Sequence, residues 1–353
     1  MKYFFSICSI WSLAIMTLIF AACRKNNGVP NDGGLQIING NYLADACGNR
    51  LVLRGVNMGV VYAVDLGKKE LTEIAQTGAN AVRLVLTSRY TRWSNGTPSN
   101  VALTGADIES LIKICIANNM IPVLELHDYT GSANPIADID KAAGWWISTD
   151  IKNVLMQYQR TIIVNIANEP DNGTGGHDAL YNGYAKAITT LRNAGYTCPL
   201  MIDSYNWGKD PQFIVNKGRA LMDHDPRHAL LFSVHAYWPA NGRWGNYSDA
   251  QITGYLNDLK NTNLPVTIGE LARADVQSGV DYAINYRLLM ALSQQHGFGY
   301  LVWWWGFYNN PGSNNTLSMA SDGLYTGLNA DGKVMAITDA NAIQRTAKKP
   351  CKN

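Results

Sequence analysis

Apolar residues in this chain gather into eight short runs rich in Val, Ile and Leu, separated by longer stretches in which they recur every three or four positions. The runs lie near Leu51 to Asn57, Ala81 to Leu86, Ile121 to Leu126, Thr161 to Ile166, Leu200 to Asp203, Leu230 to His235, Val266 to Glu270 and Gly299 to Trp305. Unbroken β-branched runs of this length predict strands buried on both faces, as in a parallel sheet. Between them, Asp107 to Asn118 sets Ile108, Leu111, Ile112 and Cys115 on one helical face, and similar spacing predicts helices near Lys68 to Thr77, Asp178 to Ala194, Ser248 to Asn261 and Asp281 to His296. Eight strands alternating with helices predict an α/β fold, a single (β/α)8 TIM barrel. Leu35 to Ile38 and Asn41 to Leu43 flank Asn39-Gly40, a strong turn signal, and predict a short N-terminal β-hairpin that plugs the bottom of the barrel. A doubly wound open sheet would compete, but no Gly-x-Gly-x-x-Gly follows an early strand.

The N-terminus departs from this rhythm. Met1-Lys2 precedes an uncharged run from Tyr3 to Ala22, then Cys23-Arg24-Lys25, the layout of an export signal. Phe20-Ala21-Ala22-Cys23 reads as a lipoprotein signal over 1–22, cleaved before Cys23, whose thiol then carries a lipid that tethers the chain to a cell-envelope membrane. The competing reading is an uncleaved membrane anchor, for which the run is long enough. Residues 23–34 are mostly Gly, Asn, Pro and Asp or charged, and are expected to form a flexible tether, with the folded barrel domain over 35–349.

Composition narrows the partners. The 353 residues carry 29 basic and 27 acidic side chains, a formal charge of +2, and no long basic tract, which argues against nucleic acid. Beyond Cys8 and Cys23, Cys47, Cys115, Cys198 and Cys351 form an even set that permits one or two disulfides in an oxidising compartment, with the pairing open. No Cys-x-x-Cys occurs and no His-x-x-x-His spacing suggests a metal site, so no metal or cofactor is expected, and a monomer is.

The C-terminal ends of barrel strands carry the chemistry in this architecture. Arg83 lies inside the second strand, His127 and Asp128 follow the third, Asn168 and Glu169 the fourth, His235 and Tyr237 the sixth, and Glu270 closes the seventh. Two carboxylates converging on one cleft can cleave a glycosidic bond. Each residue also has a plainer reading: Glu169-Pro170 as a strand-ending turn, Glu270 as a loop cap, Arg83 as a structural ion-pair partner, and His127 or His235 as core histidines. Trp303 and Trp305 would share a face on the last strand, with Trp304 turned to the helix layer. Trp303 is expected beneath the reacting sugar, and Trp207, Trp238 and Trp244 along further subsites. At least one of Trp145 and Trp146 should pack a helix onto the barrel.

Asn168-Glu169-Pro170, His235-x-Tyr237, Glu270 and Trp303, in that order, resemble glycoside hydrolase family 5 over nearly all of Leu35 to Ala347. Gly78 to Arg83, Val123 to Gly131, Ile163 to Glu169, Leu191 to Gly195 and Trp207-Gly208 resemble its bacterial endo-β-1,4-mannanase branch. The resemblance implies a retaining β-glycanase with Glu169 as acid/base and Glu270 as nucleophile. It further implies that Arg83, His127, Asn168, His235, Tyr237, Trp303 and Trp207 bind a polysaccharide or oligosaccharide. Pro170 stands where that branch has Trp, as in the family's cellulases, and Gly55-Val-Asn57-Met58-Gly59 lacks the branch's His, so an endo-β-1,4-glucanase is the alternative. A non-catalytic carbohydrate-binding barrel is a third reading, which the paired glutamates oppose.

Overall fold

A computed structural model describes Met1 and residues 33–94, 97–308 and 314–351. The signal at 1–22 and nearly all of the tether at 23–34 lie outside the described residues. The chain opens with an antiparallel hairpin, β1 (Gln36–Ile38) and β2 (Tyr42–Ala44), turning at Asn39-Gly40. Eight parallel strands follow in a closed barrel: β3 (Arg54–Met58), β4 (Ala81–Leu86), β7 (Ile121–Leu126), β8 (Ile163–Asn165), β9 (Leu200–Asp203), β10 (Leu230–His235), β11 (Val266–Leu271) and β14 (Gly299–Val302). Two antiparallel hairpins interrupt the alternation, β5 (Arg89–Ser94) with β6 (Thr97–Ala102) and β12 (Ala274–Gln277) with β13 (Val280–Ala283).

The outer layer holds α1 (Lys68–Ala75), α2 (Gly105–Ala117), α3 (Pro135–Trp146), α4 (Thr149–Tyr158), α5 (Gly176–Asn193), α6 (Gln212–His224), α7 (Asp249–Asn261) and α8 (Tyr286–His296). Helix starts follow the local chemistry: Thr104 with Asp107 and Ser248 with Gln251 form reciprocal capping boxes at α2 and α7. Residues 281–285, expected to begin the last long helix, instead form the second arm of the β12–β13 hairpin and the Asn285 cap of α8. Ser278 and Gly279 both take positive φ and turn that hairpin. Trp146 is fully buried and donates from Nε1 to the Ile166 carbonyl, which packs α3 onto the barrel as expected for one of the Trp145–Trp146 pair.

Side chains alternate along each strand, and the barrel interior is consequently layered. The lower layer is apolar: Leu53, Ala81, Val123, Ile163, Met201, Leu231 and Leu301 cluster with Leu35, Leu43 and Leu51, so the hairpin region closes the bottom. Two residues further along four of these strands, the interior turns polar, with Arg83, Glu125, Asn165 and Asp203 all buried. Polar groups taken this deep must be paired, and the next section shows how they are.

Candidate active site

Arg83 is the hub of the polar layer. Its Nε donates to Asn165 Oδ1 at 2.9 Å, Nη1 to Asn57 Oδ1 at 3.0 Å and Glu270 Oε1 at 3.1 Å, and Nη2 to Asn168 Oδ1 at 2.7 Å and Asp203 Oδ2 at 3.3 Å. All five N–H groups therefore find acceptors, which lets a buried guanidinium persist. Glu125 Oε2 lies 3.5 Å from Nη1 and adds a third carboxylate to the cation. Burial works against the charged guanidinium, but Glu125, Asp203 and Glu270 outweigh it and raise its pKa.

Above this hub sit the two predicted carboxylates. Glu270 Oε2 accepts from Tyr237 Oη at 2.6 Å, so Arg83 and Tyr237 hold one oxygen each. A bulge between Val234 and His235 brings His235 into register with Glu270. Oε1 of Glu169 lies 2.7 Å from His235 Nδ1. Burial is the largest influence on Glu169 and pushes its carboxyl up; His235 opposes, Glu270 assists, and the net shift is upward. For His235, burial disfavours the charge, yet Glu270, Asp203 and Glu169 outweigh it and push the imidazole up to about 9. With the charged imidazole favoured, Nδ1 donates to Glu169 Oε1. Glu169 itself has φ +39, a conformation uncommon for a side-chain-bearing residue, in front of Pro170. Its N–H donates to Asp203 Oδ2 at 3.1 Å and its carbonyl accepts from Gly131 N–H at 2.8 Å, which pins the turn.

A cleft of about 590 Å³ opens over the pair, lined by His127, Asn168, Glu169, Tyr237, Glu270 and Trp303 at its centre and by Trp207, Lys209, Trp244, Asp275, Val276 and Leu317 further out. His127 Nδ1 lies 3.1 and 3.2 Å from the two Glu125 oxygens, so it carries a proton, and the ring stacks parallel to Trp303. Trp207 and Trp244 are 39% and 63% exposed, unusual for such large apolar rings and suited to the flat faces of sugars. The Trp207 ring rests on bare backbone at Gly131, where a Cβ would come within 2.0 Å of it.

Six of the predicted residues, Glu169, Glu270, His127, Asn168, Tyr237 and Trp303, meet in the cleft, and Trp207 lines it farther out. Arg83 and His235 do not reach it. Both are fully buried beneath the carboxylates, so they act through Glu169 and Glu270 and not as substrate contacts. Trp238 is likewise enclosed, its Nε1 donating to the Lys209 carbonyl among Tyr247 and Tyr255. The alternation expected for Trp303 to Trp305 fails because β14 stops at Val302. Trp303 and Trp304 stack on one another at 5.4 Å, while Trp305 is fully buried and bonded to the Gly323 carbonyl.

Sequence reasoning missed Asn57, Glu125, Asn165 and Asp203. The signal was present for two of them: Asp203 closes a strand as Glu270 does, and Glu125 precedes His127 by two and so faces the same side. It also missed Lys209 and the Asp275–Val276 wall, which depend on loops. Of the four cysteines, Cys47 and Cys351 form a disulfide and Cys115 and Cys198 are free and buried. Glu169, His235 and Glu270 each bring a ligand-type atom within 4.8 Å of the others. Glu169 already bonds to His235, and Glu270 to Arg83 and Tyr237, so the trio reads as a hydrogen-bonded set and not as a cation site.

An oxygen of Glu169 lies within 4.8 Å of one of Glu270, in keeping with the roughly 5–5.5 Å between the carboxyl groups of retaining enzymes, whereas inverting enzymes hold theirs roughly 6.5–9.5 Å apart. Fold and site together define a glycoside hydrolase of retaining geometry. The family model for cellulase (glycosyl hydrolase family 5) matches residues 44–309, and the chain belongs to that family. It is 34% identical to a mannan endo-1,4-beta-mannosidase of Cellvibrio japonicus over 88% of this chain and 68% of that protein. Among solved structures, the catalytic domain of a mannanase from Streptomyces sp. SirexAA-E aligns with TM-score 0.74 and 29% identity, covering 96% of this chain and 98% of that one. A mannotriose complex of a Thermomonospora fusca beta-mannanase aligns with TM-score 0.73 and 27% identity over 90% of this chain and 98% of that one.

Proposed function

We propose that this protein is an endo-β-1,4-mannanase that cleaves its polysaccharide by double displacement. The observation that carries the mechanism is the pair Glu169 and Glu270, within 4.8 Å of each other but held in unlike environments. Glu270 attacks the anomeric carbon. As that bond forms and the glycosidic C–O bond breaks, Glu169 delivers its proton to the leaving oxygen. Water then enters, Glu169 takes its proton as base, and the glycosyl ester on Glu270 is hydrolysed. Asn168 is placed to bond the sugar 2-hydroxyl, since Arg83 and Thr130 fix its amide at the cleft wall. Trp303 and His127 form the floor beneath the reacting sugar.

Similarity to mannan-cleaving relatives supports mannan over glucan. Reducing-sugar release from galactomannan, glucomannan, carboxymethyl-cellulose and xylan tests this, beside Glu169→Gln and Glu270→Ala. Release from galactomannan lost in both variants is expected; release confined to carboxymethyl-cellulose would move the protein to the glucanase reading that Pro170 recommends. We also propose an exported, monomeric enzyme tethered through lipid on Cys23. The Cys47–Cys351 disulfide supports an oxidising compartment.

A further inference from the structure

We propose that Asp203 is the positioning residue of the acid/base: from the polar layer beneath the site it fixes the backbone of Glu169 and, by its charge beside Nε2, favours the protonated His235 that orients the Glu169 carboxyl. The inference rests on the role proposed above for Glu169 and extends it to a fully buried group that never touches substrate.

Four contacts carry it. Asp203 Oδ2 accepts the Glu169 N–H at 3.1 Å, at the residue whose φ of +39 needs an anchor. The same oxygen lies 3.5 Å from His235 Nε2, an ionic contact without a hydrogen bond at a nitrogen that has no other partner among the described residues, and accepts from Arg83 Nη2 at 3.3 Å. Oδ1 accepts from Asn165 Nδ2 at 3.1 Å. Asp203 is itself held by its own N–H, which donates to Tyr184 Oη at 3.1 Å. The imidazole of His235 therefore lies between carboxylates from three elements: Glu169 after β8 on Nδ1, Asp203 of β9 on Nε2, and Glu270 of β11 at 3.5 Å, with Arg83 of β4 as the cation behind the last two. Gly269 of β11 leaves the ring its space, since a Cβ there would meet His235 Nε2 at 3.0 Å. The set forms a line from Asp203 through the imidazolium to the carboxyl that must give up its proton.

Removing the Asp203 charge makes every proton in this line easier to lose. Asp203→Asn should move the alkaline limb of kcat/KM on mannopentaose to lower pH by about one unit or more, because an opposite charge at this distance shifts a pKa by about 1–3 units. Turnover at neutral pH should fall at least about tenfold, within the range of general acid catalysis. An aryl β-mannobioside with a dinitrophenolate leaving group needs no proton, so its kcat/KM should stay within roughly threefold of the parent. A uniform loss on both substrates with the limb unmoved would overturn the inference. Nitrogen-15 NMR of the unaltered enzyme gives a reading independent of how the variant folds: His235 doubly protonated at pH 7.5 is expected, and a neutral imidazole there would refute it. Glu169→Gln is the control. If it too loses the aryl substrate, the acid/base role of Glu169 fails; if it keeps the aryl substrate and Asp203→Asn does not, only the role of Asp203 fails.

Discussion

Replacing Arg83 by lysine keeps the charge at the centre of the barrel but removes the fork. Arg83 uses all five N–H groups, on Asn57, Asn165, Asn168, Asp203 and Glu270, and an ammonium offers three. At least two buried acceptors then lose their donor, at about 1–3 kcal/mol each, so Arg83→Lys should cost about 2–6 kcal/mol of stability. For a domain of this size 1 kcal/mol lowers Tm by about 1.5 °C, which gives a drop of roughly 3–9 °C. The same fork aligns Glu270 and Asn168, and misplacing a reacting group by about 1 Å costs on the order of 10²-fold in rate. Calorimetry beside kcat/KM on mannopentaose reads both effects. A variant within 1 °C and threefold of the parent would show that charge alone matters and would refute the donor-by-donor account. Arg83→Met should be worse on both counts, since it removes the guanidinium that Glu125, Asp203 and Glu270 share.

Trp207→Ala and Trp244→Ala should each raise KM on mannan while sparing short aryl substrates, and Trp244→Ala, the more exposed ring, should change stability by less than about 0.5 kcal/mol. Equal losses on both substrates would place these rings outside the subsites. His235, pushed up to about 9, binds a proton more tightly folded than unfolded, so its contribution is complete below about pH 6.5 and is lost as pH rises through about 9. The urea midpoint should therefore fall between pH 6.5 and 9.5, and His235→Asn should flatten that slope; an unchanged slope would assign it elsewhere. The Cys47–Cys351 bridge joins residues 304 apart, near both ends of the described domain, and Cys47→Ser should cost about 2–5 kcal/mol in a thermal melt. No change in Tm would mean that the bridge adds nothing to folding.

The barrel strands were readable because each is buried on both faces and spells an unbroken apolar run. Observed boundaries match the reading at Ala81–Leu86, Ile121–Leu126, Leu200–Asp203 and Leu230–His235. A helix was expected at Trp145–Trp146, but the span of α3 escaped because Ala142, Ala143 and Gly144 dilute its apolar stripe, leaving Ile139 and Trp146 to mark the face. Residues 281–285 were misassigned because no periodicity separates a short exposed hairpin arm from a helix start. Trp304 was misplaced by extending strand alternation beyond Val302, where the ladder ends. Site residues at strand ends were legible from position in the strand, as Glu169 and Glu270 were. Their depth was not: nothing in the sequence distinguishes Tyr237, which reaches the cleft, from His235 two residues earlier, which is sealed beneath it. Only closure of the barrel turns Arg83, Glu125, Asn165 and Asp203, far apart in the chain, into one charge network.

Covalent trapping tests the double displacement most directly. Incubation with an activated 2-deoxy-2-fluoro β-mannobioside, followed by peptide mass mapping, should find one glycosyl adduct, on Glu270, formed in the parent and absent from Glu270→Ala. An adduct on another residue, or full turnover with inverted anomeric configuration and no adduct, would contradict the assignment.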